Sequence, residues 1–167
     1  MKTMRVGSGE IEIRPLRKLN DARACVRMIL KSEPWVTLRC DYKTTLAALR
    51  DKRREVYVAR VGRRLAGFIA LNLNGPLRGY VQLLAIWPEW RGLGIGQKLL
   101  AFAERRIFRE SPNVFLCVSS FNKGAQRLYK RLGYRKVGEL WDYVVKGQSE
   151  FLMRKTIGPI AGFKGRA

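Results

Sequence analysis

The order of hydrophobic patterns along this chain predicts an α+β domain built on a mixed β-sheet. Three observations carry that expectation. Short apolar or alternating runs of strand length are interleaved with stretches whose apolar residues recur at helical spacing. One run, Gly79 to Trp87, is nearly continuous in apolar residues, as a strand covered on both faces should be. Finally, 167 residues with 47% hydrophobic content suit one core, and neither an internal repeat nor a linker divides them.

The elements follow in order. Glu10 to Arg14 alternates and reads as a first strand. Asn20 stands where a cap belongs for a helix with Ala22, Cys25, Val26, Ile29 and Leu30 on its apolar face, ending before Pro34. Asp41 can cap a second helix reaching about Lys52. Val56 to Val61 and Leu65 to Leu73 form a hairpin pattern, with Gly62-Arg63 suited to a tight II′ turn. The central strand Gly79 to Trp87 is followed by a glycine-rich turn and a helix with Ile95, Leu99, Ala103 and Ile107 on its buried face. Val114 to Val118 reads as a buried strand. A helix from Asn122 to Leu132 comes next, then strands at Tyr134 to Leu140 and Glu150 to Lys155. Residues 1–9 read as an N-terminal extension, 10–156 as the domain, and 157–167 as a basic, Gly-rich tail without regular structure.

Composition bounds the function. The chain carries 34 Lys and Arg against 13 Asp and Glu, a formal charge of +21. Such a balance suits polyanionic partners: a phosphate-bearing cofactor, RNA, a ribosomal surface or an acidic peptide. The cations are spread along the chain, as at Arg50 to Arg54, Arg63-Arg64 and Lys130-Arg131, which is also how a solvated surface reads. Lysine-rich substrates would be repelled. No histidine is present, so mechanisms needing an imidazole base or His metal ligand are excluded, and no metal is expected. Cys25, Cys40 and Cys117 are odd in number and far apart, which fits neither a disulfide framework nor a zinc site and points to a reducing cytoplasm. The basic start Met1 to Arg5 lacks the apolar stretch of a secretory signal, and no apolar run is long enough to span a membrane.

Chemistry is concentrated in two motifs. In the first, a strand ends before Pro88, Arg91-Gly92-Leu93-Gly94-Ile95-Gly96 makes a turn, and a helix starts inside it. Glycines admit positive φ and close approach of a ligand to the main chain. The first turn of a helix offers N–H groups without intrahelical partners and a dipole that favours anions, so this unit is a phosphate cradle. The G-x-G-x-G spacing fits the dinucleotide fingerprint poorly, and Gln97-Lys98 after Gly96 is not a P-loop ending. In the second motif, Asn122 is a good N-cap and Gly133 a good C′ residue, with Ala125, Leu128, Tyr129 and Leu132 at helical spacing between them.

Together the two motifs resemble the cofactor site of the GNAT superfamily of acyl-CoA N-acyltransferases: R/Q-x-x-G-x-G/A at Arg91, Gly94 and Gly96, and N-x-x-A-x-x-L-Y-x-x-x-G-F/Y from Asn122 to Tyr134. The resemblance covers roughly Ile11 to Thr156. It implies a mostly antiparallel central sheet of six to seven strands flanked by about four helices. It also implies acetyl-CoA as co-substrate, held in a gap between the strand ending at Ile86 and the Val114–Val118 strand. Main-chain groups of Leu84, Ala85 and Ile86 would bond the pantetheine arm and the thioester oxygen. The amides of Gly92, Leu93, Gly94, Ile95, Gly96 and Gln97 would hold the pyrophosphate beside Arg91. Asn122 would bond pantetheine, and Tyr129 would lie near the sulfur as general acid.

The general base stays open. In family members acting on histones a glutamate precedes the strand bulge, and its slot here holds Tyr80. In members acetylating ribosomal-protein N-termini a glutamate lies on the strand before the Asn motif, where Cys117 stands. The remaining candidates are Glu33, Asp41, Glu139 and Asp142, with a water relay as an alternative. Trp35, Trp87, Trp90 and Trp141 are candidates to line an acceptor groove. Two functions follow: an acetyl-CoA-dependent N-acetyltransferase acting on a primary amine of a small molecule or protein, or a nucleic-acid- or ribosome-associated binding module on the same fold.

Overall fold

The sheet is built outward from the hairpin at Gly62 in a computed structural model that describes residues 4–6 and 9–165. Gly62 takes φ 57° at the first central position of the turn, as a II′ hairpin requires, and joins β3 (Arg54–Val61) to β4 (Arg64–Asn72). Before them come β1 (Met4–Val6) and β2 (Gly9–Pro15), and after them β5 (Tyr80–Ile86). β6 (Asn113–Ser119), β7 (Arg135–Trp141) and β8 (Ser149–Thr156) complete one sheet in the order β1-β2-β3-β4-β5-β6-β8-β7. All neighbours are antiparallel except β5 and β6. Strand β1 falls in the segment read as an N-terminal extension and pairs Met4 with Ile11. Residues 1–3, with the basic Lys2 of the N-terminus, and the final Arg166-Ala167 lie outside the described residues.

Four α-helices cover the faces. α1 (Leu19–Leu30) and α2 (Tyr42–Arg50) bury Cys25, Val26, Met28, Ile29 and Leu49 against Val58, Phe68 and Ala85 of the sheet. α3 (Ile95–Ile107) and α4 (Lys123–Arg131) lie on the other core, where Leu99, Ala103 and Ile107 meet Ile69, Leu71 and Leu116. Each fully buried aliphatic contributes on the order of 1.5–3 kcal/mol of hydrophobic transfer, so helical spacing alone fixes which face turns inward. The Asp41 carboxylate accepts from the Thr44 N–H at 2.9 Å and starts α2 as expected. Asn20 does not cap α1: the helix begins a residue earlier, behind Lys18, which makes no side-chain cap bond.

The register of β4 on β5 slips by one residue. Ala70 pairs with Leu83 while Leu71 pairs with Val81, leaving Gln82 as a bulge. An extra residue reverses the alternation of the strand beyond it. Val81 therefore belongs to the α3/α4 core, whereas Leu83 and Ala85 turn to the α1/α2 core. The residues after β8 run back along the molecule: the Ile157 N–H donates to the Pro112 carbonyl at 2.9 Å. A Cβ on Gly165 would lie 2.6 Å from the Arg109 carbonyl oxygen. Among the described residues no helix is long and apolar enough to cross a membrane.

Candidate functional site

Strands β5 and β6 are parallel neighbours for only two residue pairs, Tyr80 with Phe115 and Val81 with Leu116. Beyond the Gln82 bulge they part, and the gap opens into a cleft of about 670 Å³. Its walls are Leu84 and Ile86 of β5, Cys117 and Ser119 of β6, and Asn122, Leu128 and Tyr129 at α4. The α1–α2 connection supplies Glu33, Trp35, Leu38 and Cys40, and the β7–β8 connection supplies Tyr143 and Val144. The Gln82 carboxamide oxygen is buried at the bulge with no hydrogen-bond partner among the described residues. A buried acceptor left open faces a ligand donor more naturally than an empty core.

One end of the cleft is the glycine turn. Gly92 and Gly94 both hold φ 75°, and Gly94 is the left-handed N-cap of α3. The first intrahelical acceptor is the Gly94 carbonyl, bonded by the Lys98 N–H at 3.0 Å. Amides 95 to 97 therefore lack helical acceptors behind them. A Cβ on Gly92 or Gly94 would meet nothing within 4 Å, and one on Gly96 would touch only Ile86 at 3.7 Å. Space has been left outside this loop, on the side where its dipole is positive. The Arg91 Nε donates to the Ile86 carbonyl at 3.2 Å, which ties the loop to the cleft wall.

The acetyltransferase (GNAT) family model matches residues 22–134. The chain belongs to the GNAT acetyltransferase family. An uncharacterized N-acetyltransferase of Methanocaldococcus jannaschii is 36% identical over 101 residues, taking in 59% of this chain and 64% of that protein. An N-alpha-acetyltransferase of Sulfurisphaera tokodaii is 29% identical over 119 residues, covering 63% of this chain and 71% of the relative. Among solved structures, an aminoglycoside 6′-N-acetyltransferase complexed with coenzyme A superposes with a TM-score of 0.71 at 17% identity. That superposition covers 89% of this chain and 98% of the other, a likeness of fold.

Within this GNAT chain, the second motif forms as read. The Asn122 side chain accepts from the Ala125 N–H at 3.2 Å and caps α4, so its oxygen is committed and its amide donors are what it can offer a ligand. Tyr129 is 8% exposed, stacks at a tilt on Tyr134 with centroids 5.8 Å apart, and reaches the cleft. Burial alone pushes its hydroxyl up to about 12. Of the other residues expected to bind cofactor, Leu84, Ile86, Arg91 and Gly96 line the cleft. The Ala85 side chain turns away into the α1/α2 core and that of Ile95 into the α3/α4 core. Gly92, Leu93 and Gly94 form the turn beyond the cleft wall, with Leu93 outward at 45% exposure, and Gln97 lies in the first turn of α3. The side chains of Ala85 and Ile95 are thereby withdrawn from the cleft.

The acidic candidates divide sharply. Asp41 is consumed as a cap, and its bonds to Thr44 hold it below the usual carboxylate range. Glu139 is ion-paired to Lys136 at 2.6 Å, bonded by Ser149 at 2.8 Å, and lowered by both. Asp142 accepts from the Gly147 N–H at 2.6 Å and shapes the β7–β8 turn with φ 52°. Only Glu33 lines the cleft, exposed, accepting from the Thr37 N–H at 3.2 Å. One carboxylate in the cleft was missed by sequence reasoning: Glu150, 5% exposed and bonded by the Ser119 hydroxyl at 2.6 Å. Burial raises its pKa, and the Ser119 bond opposes the rise. Tyr80 and Cys117, in the slots of the absent family carboxylates, both line the cleft, and burial raises both. Of the four tryptophans only Trp35 lines the cleft; Trp87 and Trp90 pack against the cores and Trp141 is 77% exposed.

Proposed function

We propose that this protein transfers an acetyl group from acetyl-CoA to a primary amine, and that the acceptor is the α-amine of a polypeptide. The observation that carries the reading is the parting of β5 from β6 at the Gln82 bulge, with the Gly92–Gly96 turn at one end of the gap and Tyr129 inside it. The pyrophosphate of the co-substrate meets the α3 amides and the positive end of the helix dipole. The vacant space outside Gly92 and Gly94 fits that use, as does the orphaned Gln82 oxygen as an acceptor for an amide donor. The name of the Sulfurisphaera relative favours an α-amine over a small-molecule acceptor.

The chemistry divides among the residues present. A neutral amine nitrogen attacks the thioester carbon, and the carbonyl oxygen gains charge that main-chain N–H groups of β5 offset. The carbon–sulfur bond then breaks, and Tyr129 gives its proton to the departing sulfur. With its pKa at about 12, the phenol is protonated at neutral pH and can donate. It regains a proton from the acylated nitrogen, leaving an amide and free thiol.

Gly96 supplies the test. Its φ is ordinary and a Cβ there makes an ordinary contact, so Gly96→Val should fold while placing a side chain where phosphate must sit. CoA at a hundredfold excess over its dissociation constant should stabilise the native protein by about 2.7 kcal/mol. The valine variant should lose that thermal shift. Thiol release is then measured with peptides bearing a free α-amine, beside aminoglycosides and polyamines. An equal CoA shift in the folded valine variant would overturn the cradle, and turnover of only the small amines would overturn the acceptor.

A further inference from the structure

We propose that Glu150 is the carboxylate that binds the acceptor ammonium and takes its first proton, with Ser119 positioning it. This rests on the acetyl-transfer reading and goes beyond it by assigning the amine subsite. Strand register places the pair: Ser119 and Glu150 are directly opposed partners of β6 and β8, so both side chains project from one face of the sheet. Cys117, two residues before Ser119, projects from that same face. Tyr80 borders the same cleft from β5, close enough to Cys117 to influence its thiol. All four residues border the cleft.

In a chain with 34 Lys and Arg, Glu150 is 5% exposed yet enters no ion pair among the described residues. By contrast Asp21, Asp51, Glu55, Glu104 and Glu139 each hold a cation. The groups around Glu150 are uncharged hydroxyls and a thiol: Ser119 and Cys117 on β6, Tyr80 on β5 and Tyr143 on the β7–β8 connection. On β7, Glu139 is neutralised by Lys136, and across the cleft Glu33 carries no cation among the described residues. Burying a carboxylate without a cation is costly, and this one is buried beside an opening. An ammonium group entering the cleft offsets that cost where no cationic side chain among the described residues does.

The proton balance closes. The acceptor arrives as an ammonium and gives one proton to Glu150. The neutral nitrogen attacks, and its second proton replaces the one Tyr129 passes to sulfur. The products are the amide, CoA thiol and one proton that leaves Glu150 for solvent.

The test compares Glu150→Gln, Glu150→Asp and Ser119→Ala in the full chain, reading kcat/KM for a peptide amine against pH and the thermal shift given by CoA. Glu150→Gln should lose about 10²–10⁴-fold in kcat/KM and lose the acidic limb of the profile, with the CoA shift intact. Glu150→Asp should recover part of the rate. Ser119→Ala should move the acidic limb to higher pH, because the bond it removes stabilises the ionised form. A purely structural pair would change melting temperature without moving the limb. A glutamine variant within about threefold of native kcat/KM, or an unmoved limb in the alanine variant, overturns the proposal. Absence of a CoA shift in the native protein instead sinks the acetyl-transfer reading, and this assignment with it.

Discussion

Removing one oxygen from Tyr129 separates catalysis from packing more cleanly than any other change in the cleft. The hydroxyl titrates at about 12, so at pH 7 only about one molecule in 10⁵ has it ionised. It is therefore a reliable donor across the neutral range and too weak an acid to lose its proton before sulfur gains charge. In Tyr129→Phe the ring still packs on Tyr134 and fills the same volume, so stability should change by no more than about 1 kcal/mol. The loss of a general acid should cost about 10²–10⁴-fold in the chemical step, equivalent to about 2.7–5.5 kcal/mol of barrier. It should fall on kcat and leave the apparent KM for acetyl-CoA nearly unchanged, because the bond strengthens only as the thiolate develops. Product release can mask part of it, so the assay is a single turnover: enzyme in excess over acetyl-CoA, quenched on the millisecond scale. A phenylalanine variant with the native single-turnover rate would remove Tyr129 from the proton path and leave it a packing residue.

Two further outcomes follow from charge. Because burial holds the folded-state pKa of Glu150 above its unfolded value, folding binds its proton, and stability falls as pH rises from about 4.3 through the folded pKa. Glu150→Gln should therefore melt with the native protein at the acid end and above it at neutral pH; equal melting temperatures throughout would mean that water reaches the carboxylate freely. The +21 charge should give only weak, salt-sensitive RNA binding, micromolar or poorer near physiological salt, and nanomolar sequence-dependent binding in a gel shift would make nucleic acid a specific partner.

What the chain discloses unaided is whatever is local. The αL glycines of the turn, the caps at Asp41 and Asn122 and the buried stripe of α3 depend on neighbours within a turn, and all are legible. Asn20 misled because a residue suited to capping can equally lie inside a helix's first turn, as it does in α1. Gln82 gave no signal, since a bulge is a property of two strands and only the register with β4 reveals it. Glu150 was hidden for the same reason. It sits at the start of a strand like any polar edge residue, and its significance arises from Ser119 being opposite, 31 positions earlier in the chain. The familiar slots at Tyr80 and Cys117 drew attention to the cleft but not to β8, the strand that brings a buried carboxylate to it.

The two-pair junction between β5 and β6 also shapes how the molecule can yield. Five strands stand on one side of it and three on the other, and within the sheet only the rungs at Tyr80–Phe115 and Val81–Leu116 bridge them. Helix α3 crosses behind, packing on β4, β5 and β6, like the spine of a half-open book. Beyond the rungs, both strand edges present main-chain donors and acceptors to the gap, and a ligand carrying amides of its own can close the hydrogen-bond ladder there. Such a ligand is mortar as much as cargo: while it is bound the two leaves behave as one slab, and its departure returns the freedom to breathe about the spine.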